Sequence, residues 1–235
     1  MKWRAWAAGI AALAALGGGM LVQTYRVQIA PAASPAAARE IQWILDAGHG
    51  GEDGGAVSVS GVPESQVNLS IALRLDQILG LLGQPALLLR DEDVSLHTPE
   101  AETLREKKRS DLMERVRMVN ELPEATLISL HQNSFPQGQY WGTQLFWAPT
   151  DGSMELAKEL QTLIQENLQP ENRRAAKEVD PAVYLMNHVQ GRAVLVECGF
   201  LSNPEEEALL LSPAYQTKVA AVLALGCVKN APVPG

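Results

Sequence analysis

The sequence predicts a single α/β domain, and three observations carry that prediction. Short apolar runs bounded by Gly, Pro and polar residues alternate with longer segments whose apolar residues recur at helical spacing. Two of the apolar runs end in a histidine that is followed at once by a loop, and strand ends in α/β sheets are where ligands are held. The length of 235 residues, with 46% apolar and 20% charged residues, allows one domain with a sizeable core. The net charge of −8 argues against nucleic acid as a partner, because phosphate backbones are bound by clustered cations.

The first 40 residues stand apart from that domain. Lys2 and Arg4 precede an apolar run from Ala5 to Val22, which reads over residues 1–22 as a signal peptide or an N-terminal membrane anchor. Lys2 and Arg4 would stay on the cytoplasmic side and leave the domain outside. Residues 23–40, with Pro31, Pro35 and several alanines, read as a linker.

The domain begins with the run Ile41-Gln42-Trp43-Ile44-Leu45, a buried strand. It opens into Asp46-Ala47-Gly48-His49-Gly50-Gly51-Glu52-Asp53-Gly54-Gly55-Ala56. So many glycines cannot build a core; they let the backbone take positive φ and pass close to another group. The spacing is neither a Walker loop nor a dinucleotide fingerprint, and no Lys-Ser/Thr follows, which argues against phosphate cradling. Next, Leu69, Ala72, Leu75, Ile78, Leu79 and Leu82 give a helix that Gly83 stops. Glu64 lies in its first turn, where the helix dipole favours a carboxylate.

Residues 85–90 form a second strand, and Asp91 to Arg109 read as a solvated loop with His97 as a surface histidine. Ser110 is the expected cap of a helix whose apolar face is Leu112, Met113, Val116 and Val119. Residues 125–134 form a strand that ends in His131-Gln132-Asn133. A strand over 142–147 and an amphipathic helix over 154–168 follow. Residues 172–180 are polar, residues 181–186 return toward the sheet, and His188 is a loop residue near the mouth of the site. The strand from Arg192 runs into Glu197, and an acid at the end of an apolar strand is costly unless it is used or paired. Pro204 opens one helix, and a last helix covers 215–228. Cys198 and Cys227 do not make a disulfide framework, and the sequence leaves a single bridge between them open.

Two histidines, a helix-start glutamate and a strand-end glutamate together have the composition of a catalytic zinc site. Such a site takes three protein ligands, His/His/Glu being a known set, and keeps a fourth position open. The remaining glutamate can take a proton from water and return it to a leaving amine. Fifteen residues separate His49 from Glu64, enough for a Gly-rich loop to carry the helix start back over the metal.

The four blocks Asp46-Ala-Gly-His-Gly-Gly-x-Asp-x-Gly-Ala56, Glu64, Ser129-x-His-x-Asn133 and Val196-Glu-x-Gly-Phe-Leu-Ser-Asn203 resemble the zinc-dependent N-acetylmuramoyl-L-alanine amidases, in family order. The resemblance implies a mostly parallel or mixed sheet of about six strands between helices. It implies a zinc ion held by His49, Glu64 and His131, with Glu197 as the catalytic acid/base. It implies hydrolysis of the amide that joins N-acetylmuramic acid to L-alanine of the peptidoglycan stem peptide, so the partners are glycan strands and stem peptides. Asp53 and Asn133 are the residues expected to orient ligands or substrate from behind. The segment 108–120 and the short gap between His131 and Glu197 resemble the germination-specific spore-cortex branch of the family. The expected location is outside the cytoplasmic membrane or in the cell wall, the forespore intermembrane space included.

Two other classes stay open on the sequence. One is an inactive or partner-dependent peptidoglycan-binding homologue, and an intact Glu197 speaks against it while leaving room for an activator protein. The other is a different exported zinc hydrolase, a peptidase or deacetylase; a His-Glu-x-x-His helix is absent, which speaks against zincin-type peptidases.

Overall fold

The structure is a computed structural model that describes residues 41–231. The expected export segment and linker lie outside the described residues. The six strands are β1 (Trp43–Ala47), β2 (Ala86–Leu88), β3 (Thr126–Asn133), β4 (Gln144–Trp147), β5 (Lys177–Glu178) and β6 (Ala193–Phe200). They form one sheet in the order β2-β1-β3-β6-β4-β5. β2, β1, β3 and β6 are mutually parallel, and β4 runs antiparallel to β6, so the sheet is mixed as expected.

Among the described residues six helices cover it: α1 (Glu64–Leu81), α2 (Leu104–Asn120), α3 (Ser153–Asn167), α4 (Tyr184–His188), α5 (Pro204–Leu210) and α6 (Pro213–Asn230). The two-residue period of the strands sorts their side chains into two cores. Trp43, Leu45, Ile128, Leu130, Val194 and Val196 meet the apolar faces of α1, α3 and α6. Ile44, Leu127, Ala193 and Leu195 meet Val119 of α2 and Leu185 and Met186 of α4. Continuing that alternation puts Asp46, Ser129, His131 and Glu197 on the α2/α4 face, at the end of the sheet where β1, β3 and β6 finish.

Four local expectations are corrected. The α1 face buries Val67, Ile71, Ala72, Leu75 and Leu79, while Leu82 lies past the helix end and is exposed. Helix α2 starts at Leu104, not at Ser110. Thr103 caps it in a reciprocal capping box with Glu106, which satisfies two backbone N–H groups at once. Ser110 sits inside the helix, and its hydroxyl accepts from Thr98 N–H at 3.0 Å. The buried face of α2 is Asp111, Arg115 and Val119, with Met113 exposed, because the surface it covers is the polar end of β1. Residues 181–186 do not extend the sheet: Tyr184–His188 is one short helix, and the strand that pairs with β4 is Lys177–Glu178. Cys198 and Cys227 are both free and buried.

Candidate metal centre and active site

The loop after β1 doubles back on itself. Gly50 N–H donates to Asp53 O at 2.8 Å, and Asp53 N–H returns to Gly50 O at 3.2 Å. His49 at its apex has φ +63°, the only positive φ of a non-glycine residue among the described residues. Such a conformation costs about 1–3 kcal/mol and persists only where the surroundings impose it. Two buried arginines impose it. Arg90 donates to Ala47 O at 2.8 Å, Gly48 O at 3.2 Å and Ser65 O at 2.9 Å, tying the loop to the start of α1. Arg115 donates to Ala47 O at 3.0 Å and His49 O at 2.7 Å.

Three side chains converge above this loop. His49 Nε2 lies 3.4 Å from Glu64 Oε2, and His131 Nδ1 lies 2.9 Å from Glu64 Oε1. One candidate ligand atom from each residue lies within 4.8 Å of the others. Zinc binds nitrogen and oxygen at about 2.0–2.2 Å, which puts tetrahedral ligand atoms about 3.4 Å apart. The donor set and its spacing therefore fit a small tetrahedral cation. The loop around the three side chains requires glycine at two positions. A Cβ at Gly48 would come within 2.1 Å of His131 Nε2, and one at Gly55 within 2.5 Å of Glu64 Oε2. Burial alone would raise the Glu64 carboxyl, but the two imidazoles hold it far below the ordinary carboxylate range. Glu64 is thus held as the anion, the form in which a carboxylate can ligate a metal. Its oxygens also accept from Ala56 N–H at 2.9 Å, Gln132 N–H at 3.1 Å and Asn68 Nδ2 at 3.2 Å, which locks its rotamer.

Glu197 is the register partner of His131 across β3 and β6. It lines the same cleft as His49 and His131. Its Oε2 is buried and has no hydrogen-bond partner. A carboxylate oxygen left bare in a protein is costly and calls for an explanation, a catalytic role being one. Burial, reinforced by the neighbouring Glu64 charge, pushes the Glu197 carboxyl up to about 7 against the opposing pull of the two histidines. Among the described residues no arginine pairs with it, so a salt bridge does not explain this acid there.

Of the two expected supporting residues, Asp53 touches the triad: its Oδ2 lies 3.0 Å from His49 Nδ1, the ring nitrogen that faces away from Glu64. Lys108 Nζ lies 3.2 Å from the same oxygen. Asn133 lies past a register shift in β3, and its carbonyl accepts from Leu201 N–H at 2.9 Å. It is not among the residues lining the cleft. His97 is half-buried, with Nδ1 2.9 Å from Ser95 Oγ. His188 closes α4, stacked on Tyr184 at 3.9 Å, and lies outside the cleft lining.

Sequence reasoning missed Asp46, Arg90, Asp111 and Arg115. Asp46 pairs with Arg115 and accepts from Ser129 Oγ at 2.6 Å, and Arg115 Nε donates to Asp111 Oδ2 at 2.7 Å. A signal was present: Asp111 and Arg115 sit four residues apart on a helix whose stripe should be apolar. Only their common burial against the end of β1 gives that spacing its meaning.

Comparison with known proteins gives a consistent result. A family model described as N-acetylmuramoyl-L-alanine amidase matches residues 44–229. The germination-specific N-acetylmuramoyl-L-alanine amidase of Bacillus subtilis is 36% identical over 186 residues, covering 79% of this chain and 77% of that protein. The CwlD amidase of Clostridioides difficile, solved in complex with the GerS lipoprotein, superposes with TM-score 0.76 at 35% identity. The match covers 80% of this chain and 96% of that one. The amidase AmiC2 of Nostoc punctiforme superposes with TM-score 0.68 at 26% identity, over 80% and 96% of the two chains.

Proposed function

Because this chain belongs to the N-acetylmuramoyl-L-alanine amidase family, we propose that it is a zinc amidase of spore-cortex maturation. In this reading it cuts the amide between the lactyl group of N-acetylmuramic acid and L-alanine of the stem peptide, the step that opens the way to muramic lactam. The observation that carries the reading is the bare Glu197 carboxylate oxygen in the cleft it shares with His49 and His131.

His49, Glu64 and His131 would hold the zinc ion. When bound, zinc polarises the scissile carbonyl and makes water a better acid. The remaining work falls to the chain's own groups. Asp53 accepts from His49 Nδ1 and so fixes which ring nitrogen is free to ligate. Glu197 Oε2 takes a proton from the attacking water and returns it to the departing alanine nitrogen. A carboxyl pushed up to about 7 suits both transfers, since a proton shuttle works best with a pKa near the working pH. The α2/α4 side of the cleft, with Leu112, Leu185 and Met186, keeps bulk water from that carboxylate.

The spore-cortex role draws support from the Bacillus subtilis and Clostridioides difficile relatives. The latter, solved with a lipoprotein, is also the basis for proposing an activator protein here. Residues 1–22 would tether the enzyme to the outer face of the membrane, where peptidoglycan lies.

The test is metal analysis together with a digest of purified peptidoglycan, read by mass spectrometry. The wild-type protein should hold one zinc and release intact stem peptides beginning with L-alanine. Glu197→Gln keeps the side-chain shape but cannot carry the proton. It should keep zinc and thermal stability while losing about 10²–10⁴-fold in turnover. A zinc-loaded, stable Glu197→Gln protein with near wild-type turnover would refute the assignment.

A further inference from the structure

The catalytic cleft encloses about 190 Å³, below the roughly 300–1,000 Å³ of pockets that hold a whole small ligand. It does not end there. Lys108, Leu112 and Tyr184 also line a second groove of about 400 Å³ between α2 and α4, so the cleft and the groove adjoin along these three residues. Arg105 and Arg109 complete the groove. Positions 105, 108, 109 and 112 recur at helical spacing and form one stripe of α2, opposite Tyr184 on α4.

Arg105 and Arg109 are exposed, and neither guanidinium group makes a hydrogen bond or ion pair among the described residues. Their neighbours on the same helix are paired: Lys107 with Glu52, Lys108 with Asp53, Arg115 with Asp46 and Asp111, Arg117 with Glu114. In a chain with net charge −8, these two guanidinium groups stand beside the cleft without a carboxylate partner, free to pair with an anionic ligand. Beneath them, Leu112 and the Tyr184 ring offer an apolar floor.

We propose that this groove is the subsite for the stem peptide, and that Arg105 and Arg109 select peptides that carry free carboxylates. The proposal rests on the amidase reading above and extends it to substrate preference. Guanidinium forks match carboxylates in bidentate geometry, whereas a carboxamide offers no charge to pair. The apolar floor takes the aliphatic parts of the peptide.

The experiment compares two muramyl peptides of one sequence, one with its carboxylates free and one with them amidated. The wild-type enzyme should cleave the acidic form with the higher kcat/KM, and added salt should narrow the difference. Arg105→Glu/Arg109→Glu should lower kcat/KM on the acidic form by about tenfold, mainly through KM, and bring the ratio between the substrates to one or below. Arg105→Gln/Arg109→Gln should fall between. Arg173→Glu/Lys218→Glu makes the same change in net charge on other exposed surfaces, and it should keep the wild-type ratio. A wild-type enzyme that cleaves both substrates equally, or a groove variant with an unchanged ratio, would overturn the subsite. Failure of the wild-type enzyme to cleave either substrate would instead overturn the amidase reading.

Discussion

Gly48 lies directly against the ring of His131: a Cβ on Gly48 would stand 2.1 Å from Nε2 and 2.2 Å from Cε1. Gly48 N–H also donates to Leu130 O at 3.0 Å, so the backbone cannot back away without losing its last rung on β3. Gly48→Ala should therefore turn the imidazole out of the triad. Overpacking of this kind costs about 1–3 kcal/mol, which is too little to unfold a domain with a core on both faces of its sheet. The expected protein is folded, with a modestly lower Tm, and binds no zinc. Retention of stoichiometric zinc would show that His131 does not need its present position.

Asp53 bridges Lys108 and His49, and its carboxyl is held low by both partners although burial opposes them. Asp53→Asn keeps the size and removes the charge. Metal affinity should fall about 10–100-fold, as it does when a carboxylate behind a histidine ligand is lost. A competitive chelator titration measures it. The same titration on Asn133→Ala should give the wild-type value, because the Asn133 contact to Leu201 is made by its carbonyl.

Asp46 gives a pH signature in stability. Burial would raise its carboxyl, but the Arg115 charge and the Ser129 hydroxyl hold it below the ordinary 3.8. The unfolded chain therefore binds this proton first as pH falls. The stabilisation is complete above 3.8 and is lost as pH drops through the lower folded value. Asp46→Asn leaves Arg115 buried with Asp111 as its remaining carboxylate partner, and should cost about 3–5 kcal/mol at pH 7. Denaturant unfolding of both proteins across pH should show their difference shrinking below about pH 4. A constant difference down to pH 2 would exclude a charged Asp46 as the source.

Among the described residues the core begins at Trp43, which is fully buried between its neighbours on β2 and β3. A protein that starts at Ile41 should be soluble, unfold cooperatively with the full-length Tm, and hold zinc. An insoluble or metal-free truncation, beside a full-length protein that is neither, would make residues 1–40 part of the folding unit.

Most of the sheet was legible because its strands are short apolar runs closed by glycine or polar residues. The two-residue strand Lys177–Glu178 was not, since both residues are exposed and charged and carry no periodic signal. The start of α2 was misread because Thr103 and Glu106 lie in a charged stretch that resembles a loop. Their reciprocal hydrogen bonds, not any apolar stripe, begin the helix.

Residue order alone places His49 just past β1, and His131 and Glu197 near the ends of β3 and β6. Residue type and the two-residue period are local properties, so they survive without coordinates. The closing of the chain into one sheet makes these ends neighbours. The order β1-β3-β6 sets His131 beside Glu197, and the start of α1 carries Glu64 back between the two histidines. The same closing leaves a polar stripe on α2 buried, because Arg115 must reach Asp46 and the His49 carbonyl from 66 or more residues away in the chain. Contacts of that separation depend on how the chain closes on itself, and a single sequence read locally carries no record of closure.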